Sequence, residues 1–232
     1  MNPIFTTTKR HSHLFATTAV CLLVMISGCN SKQNPVEQAV TPPVTTEPVA
    51  APPSSTPPGT DQAKNPSAVE PAIPLQNILD AALNGDTETI QSALDSNFDV
   101  NSTNEQKRSA VMLAAFNGHT DIVKLLVRNG ASPNLRDSSG RTALMFASTG
   151  ANPDTVEFLI VSGAELNAVD SSEGFTALMF AAAEGQTEVV RTLLKYKADA
   201  SLRDADGELA LGFARKNGHA ETIKLLTEQQ SP

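Results

Sequence analysis

Tryptophan is absent from this 232-residue chain, tyrosine occurs once, and aromatic residues make up only 4% of it. Any core must therefore be assembled from Leu, Ile, Val, Ala and Met. Basic charge is also scarce: 17 Lys and Arg stand against 25 Asp and Glu, a net of −8, which argues against a basic face for nucleic acid or anionic lipid. There are two cysteines, Cys21 and Cys29, both near the N-terminus, so the rest of the chain has no disulfide framework, thiol nucleophile or cysteine metal site. No apolar run reaches the roughly 20 residues that cross a bilayer; the stretch from Leu14 to Ile26 is about 13 to 15 long. Metal-spaced histidine pairs, glycine-rich phosphate loops and a G-x-S-x-G nucleophile elbow are all missing.

What is present begins with a targeting segment, residues 1–28. Lys9 and Arg10 form a positive start, no acid precedes Glu37, and the apolar stretch ends in Ile26-Ser27-Gly28-Cys29. An aliphatic residue, two small residues and a cysteine resemble the lipobox of bacterial lipoproteins. The resemblance implies cleavage after Gly28 and a diacylglyceryl group on Cys29, with Asn30 favouring the outer over the inner membrane. Loss of residues 1–28 would leave 15 basic against 25 acidic side chains, a charge of −10.

Prolines cluster next. Eleven of the 15 lie between Pro35 and Pro74, with pairs at Pro42-Pro43, Pro52-Pro53 and Pro57-Pro58. Proline fixes φ and removes a backbone donor, so neither a helix nor a central strand can persist. Residues 29–73 are expected to be a disordered, polyproline II-like tether. Its length from Asn30 to Ala72 could reach on the order of 130 Å at about 3.1 Å per residue.

From there a unit recurs. Lys107–Asn134 reads KRSAVMLAAFNGHTDIVKLLVRNGASPN, Gly140–Asn167 reads GRTALMFASTGANPDTVEFLIVSGAELN, and Gly174–Ser201 reads GFTALMFAAAEGQTEVVRTLLKYKADAS. Ser109 to Thr142 is 33 residues and Thr142 to Thr176 is 34, a period that signals a stacked array. Each copy opens on a hydroxyl residue suited to a helix N-cap, Ser109, Thr142 or Thr176. An alanine-rich helix follows, then a polar break, then a second helix with aliphatics at i, i+3, i+4 spacing. Gly130 and Gly163 should stop the second helices in the left-handed conformation.

These features resemble the ankyrin repeat, whose pattern is a D-x-x-G finger, T-P-L-H-x-A-A, G-H, V-V-x-L-L and G-A-D-x-N. Asp137, Gly140, Thr142, Leu144, Ala147 and Gly163-Ala164 match in the central copy, Gly118-His119 and Gly130-Ala131 in the one before, and Asp204, Gly207, Gly218-His219 and Leu225-Leu226 in the last. The expected fold is an all-α ankyrin-repeat solenoid of about five helix-turn-helix repeats with β-turn fingers over 74–230, divided near 74–101, 102–135, 136–169, 170–202 and 203–230. Met112, Met145 and Met179 replace the family's His, so the turn should lean on thioether packing. Lys197 and Asn97 stand where Gly usually ends the helix. The connector before Thr176 carries one extra residue and should bulge.

Four histidines exist, two of them in the leader. His119 and His219 sit in matching interhelix loops and read as backbone-bonded loop residues. Asp137, Asp170 and Asp204 recur at the repeat period, so stacking separates them, whereas acid–base work needs convergent groups. They read as turn residues. No catalytic, metal or cofactor site is expected, and the chain is not expected to be an enzyme. The resemblance implies a monomeric protein-binding module with contacts at the finger tips and first-helix ends: Glu105, Gln106, Arg108, Phe116, Asn117, Ser138, Ser139, Arg141, Thr149, Ser171, Ser172, Phe175, Glu184, Ala205, Asp206, Glu208 and Lys216. With the lipobox it implies a periplasm-facing anchor, touching membrane only through its lipid and no nucleic acid. Narrower readings are an immunity or inhibitor protein for an exported toxin or hydrolase, and a stress-protective helper of an envelope enzyme such as a catalase.

Overall fold

The computed structural model describes residues 73–229; the leader, Cys29 and most of the tether lie outside them, as do residues 230–232. Among the described residues there are ten helices and no strand, arranged as five pairs. They are α1 Leu75–Asn84 with α2 Thr87–Asp95, α3 Ala110–Phe116 with α4 Thr120–Arg128, α5 Ala143–Thr149 with α6 Pro153–Val161, α7 Ala177–Ala183 with α8 Thr187–Lys195, and α9 Ala210–Lys216 with α10 Ala220–Gln229. Each odd-numbered helix packs on its own partner and on the odd-numbered helices of neighbouring pairs. This is the all-α solenoid of five repeats that the period implies. None of its helices is long and apolar enough to cross a membrane.

Small residues make the stack close. Ala110, Ala114, Ala115, Ala143, Ala147, Ala177, Ala181, Ala182, Ala210 and Ala214 are all buried where consecutive first helices meet. The second helices contribute the larger aliphatics, Ile90, Ile122, Val123, Leu126, Val156, Leu159, Val189, Val190 and Leu193. Burying each large aliphatic side chain contributes about 1.5–3 kcal/mol relative to exposure. Met112, Met145 and Met179 are fully buried beside them, so the thioether packing expected in place of histidine is present.

Helix capping differs from expectation. Ser109, Thr142 and Thr176 do occupy the N-cap positions, but only the Thr176 hydroxyl caps, accepting from the Met179 amide at 3.3 Å. The Ser109 and Thr142 hydroxyls are buried and make no hydrogen bond. Backbone angles at the three positions are alike, with φ from −99 to −93° and ψ from 165 to 167°, so the difference lies in the side chain. Methionine offers these hydroxyls no hydrogen-bonding partner comparable to an imidazole.

Polar ties run from repeat to repeat. The Asn101 amide donates to Gly130 O at 3.1 Å and its oxygen accepts from Ser132 N; Asn134 repeats this with Gly163 O and Glu165 N. Thr120 and Thr155 share a hydroxyl bond at 2.6 Å, as do Thr187 and Thr222 at 2.9 Å. On the second-helix side, Lys195 Nζ and the Tyr196 hydroxyl both donate to Glu157 Oε1 at 2.8 Å.

Gly130 and Gly163 adopt φ of 93° and 91°, the left-handed stop expected of them. Asn97 and Lys197 take the same conformation without being glycine, at 60° and 70°. Lys107, at 56°, is a third such residue, in the finger position that Gly140, Gly174 and Gly207 fill elsewhere. A Cβ in this region costs about 1–2 kcal/mol, less for asparagine. Lys107→Gly and Lys197→Gly should therefore each raise stability by about 1 kcal/mol in urea unfolding, while Asn97→Gly gains less; a loss for either lysine variant would mean its side chain holds something the backbone strain conceals.

Candidate functional site

The fingers are built by one side chain each. Asn104 Oδ1 accepts from the Gln106 and Arg108 amides, Asp137 Oδ1 from Ser139 and Arg141, and Asp204 Oδ1 from Asp206 and Glu208, at 2.7–3.0 Å. Asp170 spans one residue more, accepting from Glu173 at 3.1 Å and Phe175 at 2.9 Å. Accordingly Asp170 N bonds to Phe175 O across five residues, whereas Asp137 N reaches Arg141 O across four. The extra residue thus lengthens this finger, as the sequence spacing requires. Neighbouring fingers are joined by single backbone bonds, Ser138 N to Gln106 O, Ser171 N to Ser139 O and Ala205 N to Glu173 O, at 2.8–2.9 Å. The recurring aspartates are therefore turn-forming residues.

The interhelix loops are fixed by the next repeat. His119 Nε2 lies 3.0 Å from Leu83 O, His219 Nε2 3.0 Å from Ala183 O, and Gln186 Nε2 donates to Thr149 O at 3.2 Å. Asn117 and Asn217 add a second donor to Leu83 O and Ala183 O. Both histidines are thereby engaged by backbone, as loop residues, and their rings pass so close to Gly85 and Gly185 that a Cβ there would collide at 2.7 and 2.4 Å.

Fingers and first helices share one face, because the finger residue Phe175 contacts first-helix rings: Phe180 at 5.4 Å between centroids and Phe213 at 4.9 Å. Further along, Phe116 meets Phe146 edge-on at 6.4 Å. Leu113, Phe146, Phe180 and Phe213 occupy the same register in α3, α5, α7 and α9, forming a column that the sequence reading missed. The signal was available: an aromatic follows Met145, Met179 and Gly212 at the repeat period. Phe146 and Phe213 are buried, whereas Leu113, Phe116, Phe175 and Phe180 are half-exposed.

Charges are arranged around this column. Arg141 grips Asp137 through Nε at 3.1 Å and a terminal nitrogen at 2.8 Å, with its guanidinium 4.9 Å from the Phe146 centroid. Arg108 approaches the same carboxylate at 3.9 Å and the same ring at 6.0 Å. The two arginine side chains are only 16% and 15% exposed and Asp137 2%, so these arginines are mainly internal struts. At the other end Lys216 lies 5.4 Å from the Phe213 centroid and pairs with Glu208 at 2.8 Å. Gly212, where other repeats have methionine, admits the Glu208 carboxylate; a Cβ there would strike it.

Of the remaining residues expected at the surface, Ser138 and Asn117 are exposed, Ser139 and Thr149 are half-buried, and the Thr149 hydroxyl donates back to Phe146 O at 2.7 Å. Glu184 caps the end of α7, its backbone N–H donating to Phe180 O at 3.1 Å, while its half-buried side chain makes no hydrogen bond or ion pair among the described residues. Burial pushes its carboxyl above the usual carboxylate range, against a lowering influence from His219.

Two outcomes follow. Asp137→Ala should cost about 3–5 kcal/mol in urea unfolding by leaving buried guanidinium charge and the finger amides without their acceptor, and Asp137→Asn, which copies Asn104, should cost less; equal losses would remove the finger role. The folded chain holds the Glu184 proton more tightly than the unfolded chain, so this group favours folding in acid and loses that contribution as pH rises through its folded value. Glu184→Gln should melt above the parent at neutral pH, with the gap closing below the usual carboxylate range; a gap independent of pH would rule out the titration.

A sequence profile described as ankyrin repeats (3 copies) matches residues 78–170 and again 147–231. No curated protein matches the chain. Such repeats generally mediate protein–protein interaction, and no catalytic family is indicated. With five stacked helix pairs, a finger ladder and a matching profile across most of its length, the chain belongs to the ankyrin repeat family.

Proposed function

We propose that the chain is a non-catalytic interaction module, anchored at a bacterial cell envelope by lipid on Cys29. The Pro-rich tether carries it away from the membrane, facing the periplasm from the outer membrane. It binds a protein partner through the finger and first-helix face, where Arg108, Phe116, Asn117, Ser138, Ser139, Arg141, Thr149, Phe175, Glu184 and Glu208 lie. The observation that carries this reading is the half-exposed apolar column of Leu113, Phe116, Phe175 and Phe180 beside polar finger tips. An aromatic centre within a polar rim is the usual layout of an interface hot spot. Arg108 and Arg141 serve mainly by holding Phe146 and the finger in place, and the three half-exposed phenylalanines, Phe116, Phe175 and Phe180, make the direct contact.

Affinity capture of the native chain from envelope extracts tests both halves. Cys29→Ala should lose labelling by a palmitate analogue and leave the membrane fraction; continued labelling would end the lipid assignment. Joint replacement of Arg108, Arg141 and Phe175 by alanine should abolish partner capture. Because that variant disturbs Asp137, the pair Phe116→Ala and Phe175→Ala is the second arm, checked for retained helical circular dichroism. Undiminished capture by the folded pair would overturn the surface assignment. The captured protein itself, an exported toxin or hydrolase against an enzyme such as a catalase, separates the narrower roles.

A further inference from the structure

Of the three first-helix rings in the C-terminal repeats, two have a cation of the chain over them and the third, Phe180, has the Phe175 ring beside it. Arg141 lies 4.9 Å from the Phe146 centroid and is paired with Asp137. Lys216 lies 5.4 Å from Phe213 and is paired with Glu208. Both of those rings are buried, at 3% and 5% exposure. Phe180, between them, is half-exposed and has no cation over it among the described residues. The reason is in the sequence. Phe175 stands where Arg141 stands one repeat earlier, and Ala183 stands where Lys216 stands one repeat later. An anion is nevertheless present: Glu184 follows Phe180 by four residues, one turn along the same helical face, and its half-buried carboxylate makes no hydrogen bond or ion pair among the described residues. It sits at the end of α7, where the partial negative charge of the terminal carbonyls also favours a cation. Lys216 of the next repeat is committed to Glu208, and His219 is the charged neighbour that acts on the Glu184 carboxyl.

We infer that Phe175, Phe180 and Glu184 form a receptor for one lysine or arginine side chain of the protein partner, its methylenes lying on the two rings and its charge meeting the Glu184 carboxylate. The inference rests on the proposed interaction face and names the chemistry that face selects. Displacing water from a ring and a half-buried carboxylate together makes the cation contact stronger than at an open surface. It also returns the Glu184 carboxyl toward its ordinary range, since a paired cation favours the charged form that burial disfavours.

The test uses the isotope-labelled full chain and three small probes: N-acetyl-Leu-Lys-Leu-amide, its N-ε-acetyl-lysine twin, and N-acetyl-Leu-Glu-Leu-amide. The lysine probe should shift the Phe180, Glu184 and Phe213 amides saturably, with an affinity about tenfold above the neutral twin, and the glutamate probe should bind more weakly still. Glu184→Gln should reduce the lysine probe to the level of its twin with the remaining spectrum unchanged. Ala183→Lys, which installs the cation that repeat five carries at Lys216, should abolish binding. Equal affinity for lysine and acetyl-lysine probes, shifts centred elsewhere, no saturable binding, or full binding by Ala183→Lys would each overturn the inference. The envelope reading fails separately. If no partner is captured but the probes behave as stated, the receptor stands. If a partner is captured equally by the parent and by Ala183→Lys, the receptor falls while the interaction face remains.

Discussion

The carbonyls in the last turn of the first helices α1, α5 and α7 are the points on which this architecture depends. A seven-residue helix such as α3, α5, α7 or α9 leaves most of its C-terminal carbonyls without an intrahelical donor, and stacking places them near a neighbouring repeat. The chain answers with side chains from the following loop: His119 and Asn117 on Leu83 O, Gln186 on Thr149 O, His219 and Asn217 on Ala183 O. A repeat removed from its successor would lose these donors together with the alanine-lined contact. Stability is therefore shared between neighbours, and a short helix that would be marginal alone persists in the stack.

Because those ties and the alanine seams lie within the stack, the outer column of the first helices is released from structural duty. The position just before each first-helix cap holds Arg108, Arg141, Phe175 and Glu208 in turn, and the fold accepts all of them. What changes is the company of the ring beside it. Arginine with Asp137 seals Phe146, phenylalanine widens the apolar surface at Phe180, and glutamate folds in over Gly212 to hold Lys216 on Phe213. Among the three repeats with a ring at this register the face goes from sealed to open to sealed, so the half-exposed ring of that register is Phe180.

The stack was legible in the sequence because it is periodic. Helix pairs, glycine stops, the strained positions of Asn97 and Lys197 and the longer finger before Phe175 all follow from comparing one repeat with the next. Features that depend on a rotamer or on a partner from another repeat were not legible. Ser109 and Thr142 have the residue type and backbone of an N-cap yet do not cap, while Thr176, with the same T-A-L-M motif as Thr142, does. Arg108 and Arg141 look like surface arginines in one repeat considered alone; only the stack reveals that both converge on Asp137. Lys107 was not legible as strained because its finger starts on Asn104 and lacks the D-x-x-G pattern that marks the others.

The same comparison of equivalent positions, applied to side-chain chemistry instead of helix boundaries, locates where this member of the family departs from itself. In two repeats a ring, a cation and a carboxylate form a closed set. In the fourth the ring remains, Phe175 and Ala183 stand in the places of Arg141 and Lys216, and the carboxylate of Glu184 stands where Gly150 and Asn217 stand in those repeats. Burial of Glu184 disfavours its charged form, with His219 acting against that shift, and so weakens the isolated chain at neutral pH. A lysine at position 183 would bring a cation to this part of the face from within, as Lys216 stands beside Glu208. Alanine instead leaves the relief to come from outside, so the energy withheld from folding is what a basic side chain of the partner recovers on docking.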